Sequence, residues 1–317
     1  MSEQNSLSQQ VTPPRATGHD RTRLGIVLGS GSARGWAHIG VIRQLVAMGI
    51  QPDVVCGTSI GALVGAAYVI GKLDALESWA QGITARNMVR YLDLGMILGG
   101  GFVEGKRLMS FLRARFGNAQ IEDLPIAFGA VATDLKTGRE IWLTKGPLWD
   151  AVRASIALPG FITPAHVEDQ WLVDGGLVNP VPVSLCRALG AEAIIAVNLN
   201  ADIVGRHFTE KKRVSRLEAR ATTEARLLGK LRIRLKQRSG VGTPGLFDVL
   251  AGSVNIMQHQ ITRNHMEGNS PGVMIAPRLA HIGLLEFDRA REAIGEGAAS
   301  VQRAETALRA FAKAEAL

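Results

Sequence analysis

Cysteine is nearly absent from this sequence. The 317 residues include two, Cys56 and Cys186. Neither stands in a C-x-x-C pair, which argues against a disulfide framework and fits a reducing compartment. Long apolar runs are missing as well. The longest, Ile60 to Gly71, is twelve residues, whereas a bilayer span needs about twenty, so it reads as a buried core helix. The first twenty residues have no apolar stretch of the kind a signal peptide needs, and they carry Pro13 and Pro14. They are expected to be a disordered leader, residues 1–22, on a cytoplasmic protein. No internal repeat is visible. What is present is ordinary for a globular chain: 46% hydrophobic residues, and a length sufficient for one large α/β domain.

The net charge of +8 is concentrated in one place. Between Arg206 and Arg238 lie twelve Lys or Arg and three Glu, a local net of +9 that leaves the rest of the chain at −1. Val214, Leu217, Ala221, Leu228, Leu231 and Leu235 fall three, four or seven apart, the spacing of one helix face. From Lys230 to Lys236 basic and apolar residues also alternate, which would suit a strand; the helix is the favoured reading. A basic amphipathic helix lies readily on anionic lipid, and a solvated charged excursion is the alternative. Nucleic acid is not an expected partner, since Phe208 is the lone aromatic there and no binding motif occurs. The chain is thus expected to divide into the leader, a catalytic core over residues 23–200, a basic insertion over 201–245, and a C-terminal part, 246–317, completing the domain.

Within the core the pattern alternates. Leu24–Leu28 and Asp53–Cys56 read as buried strands. Ala33–Met48 and Ile60–Ile70 read as the helices that follow them. Further strands are expected at Ile126–Thr133, Glu140–Thr144, Trp171–Val173, Ala193–Asn198 and Val273–Ala276. Helices are expected at Leu73–Ile83, Gly105–Phe116, Pro147–Ala157, Val183–Leu189, near Phe247–Met266, and unbroken from Phe287 onward. Gly99-Gly100-Gly101 reads as a loop. Strand–helix alternation at this spacing predicts a parallel sheet covered on both faces.

Three short motifs carry chemistry. Gly57-Thr58-Ser59-Ile60-Gly61 has the form G-x-S-x-G between a strand and a helix, the setting of a nucleophile elbow. Gly57 and Gly61 allow the sharp turn, and the helix N-terminus with the Ile60 amide would favour negative charge beside Ser59. Gly29 to Gly35 follows the first strand and opens the first helix, so its backbone amides can converge on an anion. It reads either as an oxyanion loop, as a dinucleotide fingerprint with Asp53 as the ribose-binding acid, or as a bare turn. Asp174-Gly175-Gly176 ends a strand with an acid and two residues lacking side chains, and is otherwise a turn. Ser59 needs a base. None of the seven histidines stands in a triad context, and His38, four residues after Arg34, is expected to be structural. A carboxylate of suitable geometry and pKa can serve instead.

In this order, over Leu24 to Asn198, the three motifs resemble those of the patatin-like phospholipase family. The run from Gly29 to Ile42, Ala154-Ser155 followed by Pro159-Gly160, and Trp171 to Gly175 look especially like its bacterial RssA-like branch. The resemblance implies a three-layer α/β/α sandwich with a mainly parallel sheet. It implies a serine hydrolase of lipid acyl esters, of phospholipase or lysophospholipase type, that uses no cofactor and no metal. Ser59 is then the nucleophile and Asp174 its base. Ser30, Gly31, Ser32 and Ile60 form the oxyanion hole, supported by Arg34, Gly35, Gly57, Gly61, Gly175 and Gly176. Many members have three successive glycines where this chain has Ser30-Gly31-Ser32. The amides survive that change, while the side chains narrow the approach. The expected partners are a lipid acyl ester and an anionic membrane surface reached through Arg206–Arg238, placing the protein at the inner face of the membrane. Two other classes compete: a non-catalytic lipid- or partner-binding module on the same scaffold, and a dinucleotide-binding protein.

Overall fold

A computed structural model describes residues 22–84, 105–202 and 246–315. The leader up to residue 21, the loop at Gly99–Gly101 and the basic segment Arg206–Arg238 lie outside the described residues.

Eight strands form one sheet: β1 (Leu24–Leu28), β2 (Val54–Thr58), β3 (Ala127–Asp134), β4 (Glu140–Leu143), β5 (Ala165–Val167), β6 (Gln170–Asp174), β7 (Ala193–Val197) and β8 (Val273–Ile275). Their order is β5-β6-β3-β2-β1-β7-β8, with β4 paired to β3 off that path. The five strands from β3 to β8 run parallel, while β4, β5 and β6 enter through antiparallel pairs. The expected mainly parallel sheet is therefore present, with an antiparallel end.

The central strands are apolar along nearly their whole length because both faces are covered, and polar residues enter only at the C-terminal ends of β2 and β3. Leu24, Ile26 and Leu28 join a large cluster with Trp36, Ile39 and Leu45, whereas Val27 joins a smaller one with Leu185 and Cys186. The larger layer is built from α1 (Ala37–Ala47), α2 (Ile60–Val69), α3 (Leu73–Gln81), α4 (Lys106–Phe116), α5 (Leu148–Ser155) and α8 (Ala290–Arg303). On the smaller side lies α6 (Val183–Ala188). The result is the three-layer α/β/α sandwich expected from sequence. Helix α7 (Leu246–Gly268) follows the basic segment, and α9 (Glu305–Ala314) ends the described chain.

Three elements depart from the expected pattern. The first helix opens as a 3₁₀ turn, Ser32–Trp36, before it becomes α-helical at Ala37. The C-terminal helix breaks at Ala304, and the bend brings the Phe311 ring so close to Gly272 that a Cβ there would lie 2.1 Å away. Strand β5 was not expected. It is joined to β6 by Glu168-Asp169, both at positive φ. Asn-Gly or Asp-Gly is the usual signal for such a turn, and Glu-Asp gives none.

Candidate active site

The sheet register places Ser59 and Asp174 together. Strand β2 pairs with β3 from Val54↔Ala127 to Thr58↔Val131. Strand β6 pairs with β3 from Asp174↔Ala132 onward, in the opposite direction. Strand β4 spans Ala130 to Thr133 of β3 and so overlaps both. It must occupy the other edge, and β2 and β6 share one edge end to end. Their C-terminal ends meet at Val131 and Ala132 of β3, with Ser59 next after one and Asp174 last in the other.

At that junction Ser59 Oγ donates to Asp174 Oδ2 at 2.5 Å. The second carboxylate oxygen, Oδ1, accepts the Gly176 amide at 2.7 Å. Thr133 Oγ1 donates to the Asp174 carbonyl at 2.8 Å, and the Asp174 amide donates to the Ala157 carbonyl at 3.0 Å. Every polar atom of Asp174 is thus held. Its side chain is 1% exposed, and this burial pushes its pKa up to about 6, against the downward pull of the Ser59 and Gly176 hydrogen bonds. The carboxylate is ionised at neutral pH and close enough to titration to accept a proton.

Ser59 has φ 58° and ψ −125°, a conformation that costs about 1–3 kcal/mol in a residue with a side chain. Its neighbours make the turn feasible. A Cβ on Gly57 would lie 2.4 Å from the Ala62 amide nitrogen, and one on Gly61 2.1 Å from the Leu28 carbonyl oxygen. The strained backbone is held by a neighbouring helix: the Ser59 amide donates to Ser155 Oγ, at the end of α5, at 2.8 Å. On the acid side, a Cβ on Gly175 would lie 2.2 Å from the Val131 carbonyl oxygen, and one on Gly176 would meet the Gln258 side chain.

The glycine loop packs against this elbow. A Cβ on Gly35 would strike Ile60, and the one on Gly61 would also lie 2.8 Å from the Gly29 carbonyl oxygen. The Ser30 amide donates to the Pro180 carbonyl at 2.8 Å, so it fixes the loop and is not a free donor. The amides of Gly31, Ser32 and Ile60 make no hydrogen bond among the described residues. Ser32 lies at φ 51°, which turns the chain from the loop into the 3₁₀ segment. Arg34 is fully buried; its Nε donates to the Gly31 carbonyl at 3.2 Å and its Nη2 to Asn255 Oδ1 at 2.7 Å. Burial lowers its pKa to about 10, opposed by Asp202, so it remains cationic at neutral pH. His38 Nε2 donates to the Gly29 carbonyl at 2.7 Å, and burial lowers its pKa to about 4. It is a neutral strut under the loop, as its place in the sequence suggested.

Asp53 does not serve the loop. It precedes β2 at the opposite end of the sheet, where Oδ2 accepts the Leu24 amide at 2.9 Å. The loop begins after Leu28, about 16 Å further along β1 at the usual rise per residue. The dinucleotide reading therefore lacks its acid.

Several residues of the site gave no warning in the sequence. Ser155 lies in a run noted only for its resemblance. Asn200 Nδ2 donates to Gln258 Oε1 at 3.0 Å and to the Ser30 carbonyl at 3.4 Å, tying α7 to the loop. Asn255 and Gln258 stand in no motif, and both are buried.

Residues 26–187 match the family model described as patatin-like phospholipase, a span that includes both Ser59 and Asp174. An uncharacterized NTE family protein of Mycobacterium tuberculosis is 41% identical over 191 residues, 60% of this chain and 53% of that protein. A second from the same organism is 34% identical over 277 residues, 86% of this chain and 45% of that protein. Patatin-like phospholipase domain-containing protein 7 of Mus musculus is 35% identical over 186 residues, 56% of this chain and 14% of that protein. The chain spans about half the length of the mycobacterial relatives it matches. With a match covering half its length and both motif residues, the chain belongs to the patatin-like phospholipase family.

Proposed function

We propose that this protein hydrolyses acyl esters of lipids, of the phospholipase or lysophospholipase type, through Ser59 and Asp174. The observation that carries the reading is the 2.5 Å hydrogen bond from Ser59 Oγ to Asp174 Oδ2, made by a carboxyl group whose pKa burial has raised to about 6. Ser59 Oγ attacks the ester carbonyl carbon as its proton passes to Asp174 Oδ2. The carbonyl oxygen, now negative, is held by the amides of Gly31, Ser32 and Ile60. The intermediate collapses, the alcohol leaves with the proton from Asp174, and the acyl group remains on Ser59. Asp174 then takes a proton from water, the resulting hydroxide attacks the acyl-serine, and the fatty acid departs as Ser59 recovers its proton. No histidine enters this cycle. The family and the names of the relatives support the lipid ester as substrate.

The basic segment Arg206–Arg238 is proposed to attract the enzyme to anionic membrane surfaces. Among the described residues no helix is long and apolar enough to cross a membrane, so the contact would be peripheral, at the inner face in a cytoplasmic protein.

A serine-directed fluorophosphonate should label the wild-type protein stoichiometrically and leave Ser59→Ala unlabelled. The same variant should retain its fold by circular dichroism and lose hydrolysis of a p-nitrophenyl acyl ester. An unlabelled wild type, or a folded Ser59→Ala variant with near wild-type turnover, would exclude the proposed chemistry.

A further inference from the structure

Helix α7 buries polar side chains while it exposes large apolar ones. Among its described side chains the buried ones are polar: Asn255, Gln258 and Thr262 are 3%, 5% and 4% exposed, at spacings of three and four that place them on one side. Among its exposed residues are three large apolar side chains, with Ser253 exposed between them. Val249, Ile256 and Met257 are 48%, 51% and 47% exposed. Val249 and Ile256 are seven residues apart and stand in line, Met257 flanks them, and the three lie on the side away from the face formed by Asn255, Gln258 and Thr262. Further along, the exposed positions turn polar at Gln260, Arg263, Asn264 and Glu267. A helix lying on a protein in water normally shows the reverse arrangement.

The inner face explains the buried polar residues. Asn255 accepts from Arg34, which grips the Gly31 carbonyl, and Gln258 accepts from Asn200 while it lies against Gly176. One helix thus touches both the glycine loop and the turn after Asp174. Nothing in that arrangement requires Val249, Ile256 or Met257 to be apolar.

We infer that the outer face of α7 is a docking surface for a lipid–water interface with anionic headgroups, seated in the membrane beside the catalytic loop. Charge selects this occupant. The residues from Arg206 to Arg238 carry a net +9 and end eight residues before Leu246, so the apolar face is entered from the most basic part of the chain. Exposed apolar side chains that follow a run of cations in the sequence suit a surface that is greasy below and negative above. At 23 residues with a polar inner face, α7 would lie on such a surface. Since Asn255 and Gln258 hold the loop and the acid turn, a membrane that fixes α7 also steadies the site. This inference rests on the proposed lipid substrate.

The test replaces Val249, Ile256 and Met257 together by glutamine, a helix-forming residue, in both the Ser59→Ala protein and the active enzyme. Binding of the Ser59→Ala proteins to phosphatidylglycerol vesicles is measured at 0.5 M salt, where charge attraction is largely screened. The glutamine variant should partition at least about tenfold more weakly, given the apolar area removed. In the active enzyme, hydrolysis of a vesicle lipid should fall while hydrolysis of a short soluble ester, and fluorophosphonate labelling, stay at wild-type levels. Thermal unfolding should be unchanged. Equal vesicle partitioning of the two proteins would overturn the docking surface. A drop of several degrees in Tm would place this face against the chain's own residues 203–245, and a wild-type dimer made monomeric by the three changes would place it against a second copy; either result would overturn it too. Lost labelling of the wild type would instead strike the hydrolase reading and leave the binding result standing.

Discussion

Asp174 has almost no contact with water, and its behaviour with pH follows from that. As the base it must be ionised, so kcat/KM on a soluble ester should fall about tenfold per unit below a midpoint near pH 6. His38 is held neutral, with its pKa lowered to about 4, and does not account for that limb. His38→Gln should leave the midpoint near 6 in a stopped-time pH series; a midpoint that moves with His38 would assign the limb to the histidine. The same burial has a consequence for stability. The folded carboxyl takes up its proton near 6, the unfolded one near the ordinary 3.8. Ionised Asp174 therefore destabilises the fold fully above about pH 6, and the penalty fades to nothing below about pH 4. A shift of about two units corresponds to roughly 3 kcal/mol at most. Asp174→Asn keeps an acceptor for the Gly176 amide and places an NH₂ against Ser59 Oγ. It should abolish turnover yet be about 1–3 kcal/mol more stable than wild type at pH 8, an advantage that chemical denaturation should find gone at pH 4.

At the scale of elements, the helix layer depends on how closely α1 and α8 approach. A Cβ on Gly40 would lie 1.9 Å from the Ile294 carbonyl oxygen, and one on Gly297 2.0 Å from that of Ala37. Both obstacles are backbone, so one helix must move. Gly297→Ala should lower the urea midpoint by an amount worth about 1–3 kcal/mol or more. Gly295, in the same helix, has nothing within 4 Å of its would-be Cβ. There alanine should stabilise by about 0.5–1 kcal/mol, because the helix loses a glycine's backbone entropy cost. Opposite signs two residues apart would separate packing from helix propensity; two similar effects would show that the close approach is not what the glycine serves.

For the whole molecule, the charge distribution and the fold serve different ends. Outside Arg206–Arg238 the chain is nearly neutral. Each cation close to an anionic surface contributes about 1 kcal/mol, and the attraction decays over about 8 Å at physiological salt. Changing Lys230, Arg232, Arg234 and Lys236 to glutamine should weaken co-sedimentation with phosphatidylglycerol vesicles at low salt and leave soluble-ester hydrolysis intact. The deficit should shrink as salt rises, unlike that of the α7 changes. If the four-glutamine variant and wild type partition alike at low salt, the segment is a solvated excursion.

By itself the sequence determined the alternation of strand and helix, the covered parallel sheet, and the residues whose spacing is local: Gly57 to Gly61, Gly29 to Gly35, and Asp174 to Gly176. These were legible because apolar periodicity and the need for glycine at sharp turns act within a few residues. Only the tertiary structure decided that β2 and β6 meet end to end on one edge of β3, which is what puts Ser59 within a hydrogen bond of an acid 115 positions away. It also decided that Ser155 holds the Ser59 amide and that the Ser30 amide is taken by Pro180. Helix α7 turned Asn255 and Gln258 inward for a reason of the same kind. Asn255 and Gln258 bond to Arg34 and Asn200, residues far away in the chain, and long-range pairing of buried polar groups leaves no periodic trace in the sequence that makes it.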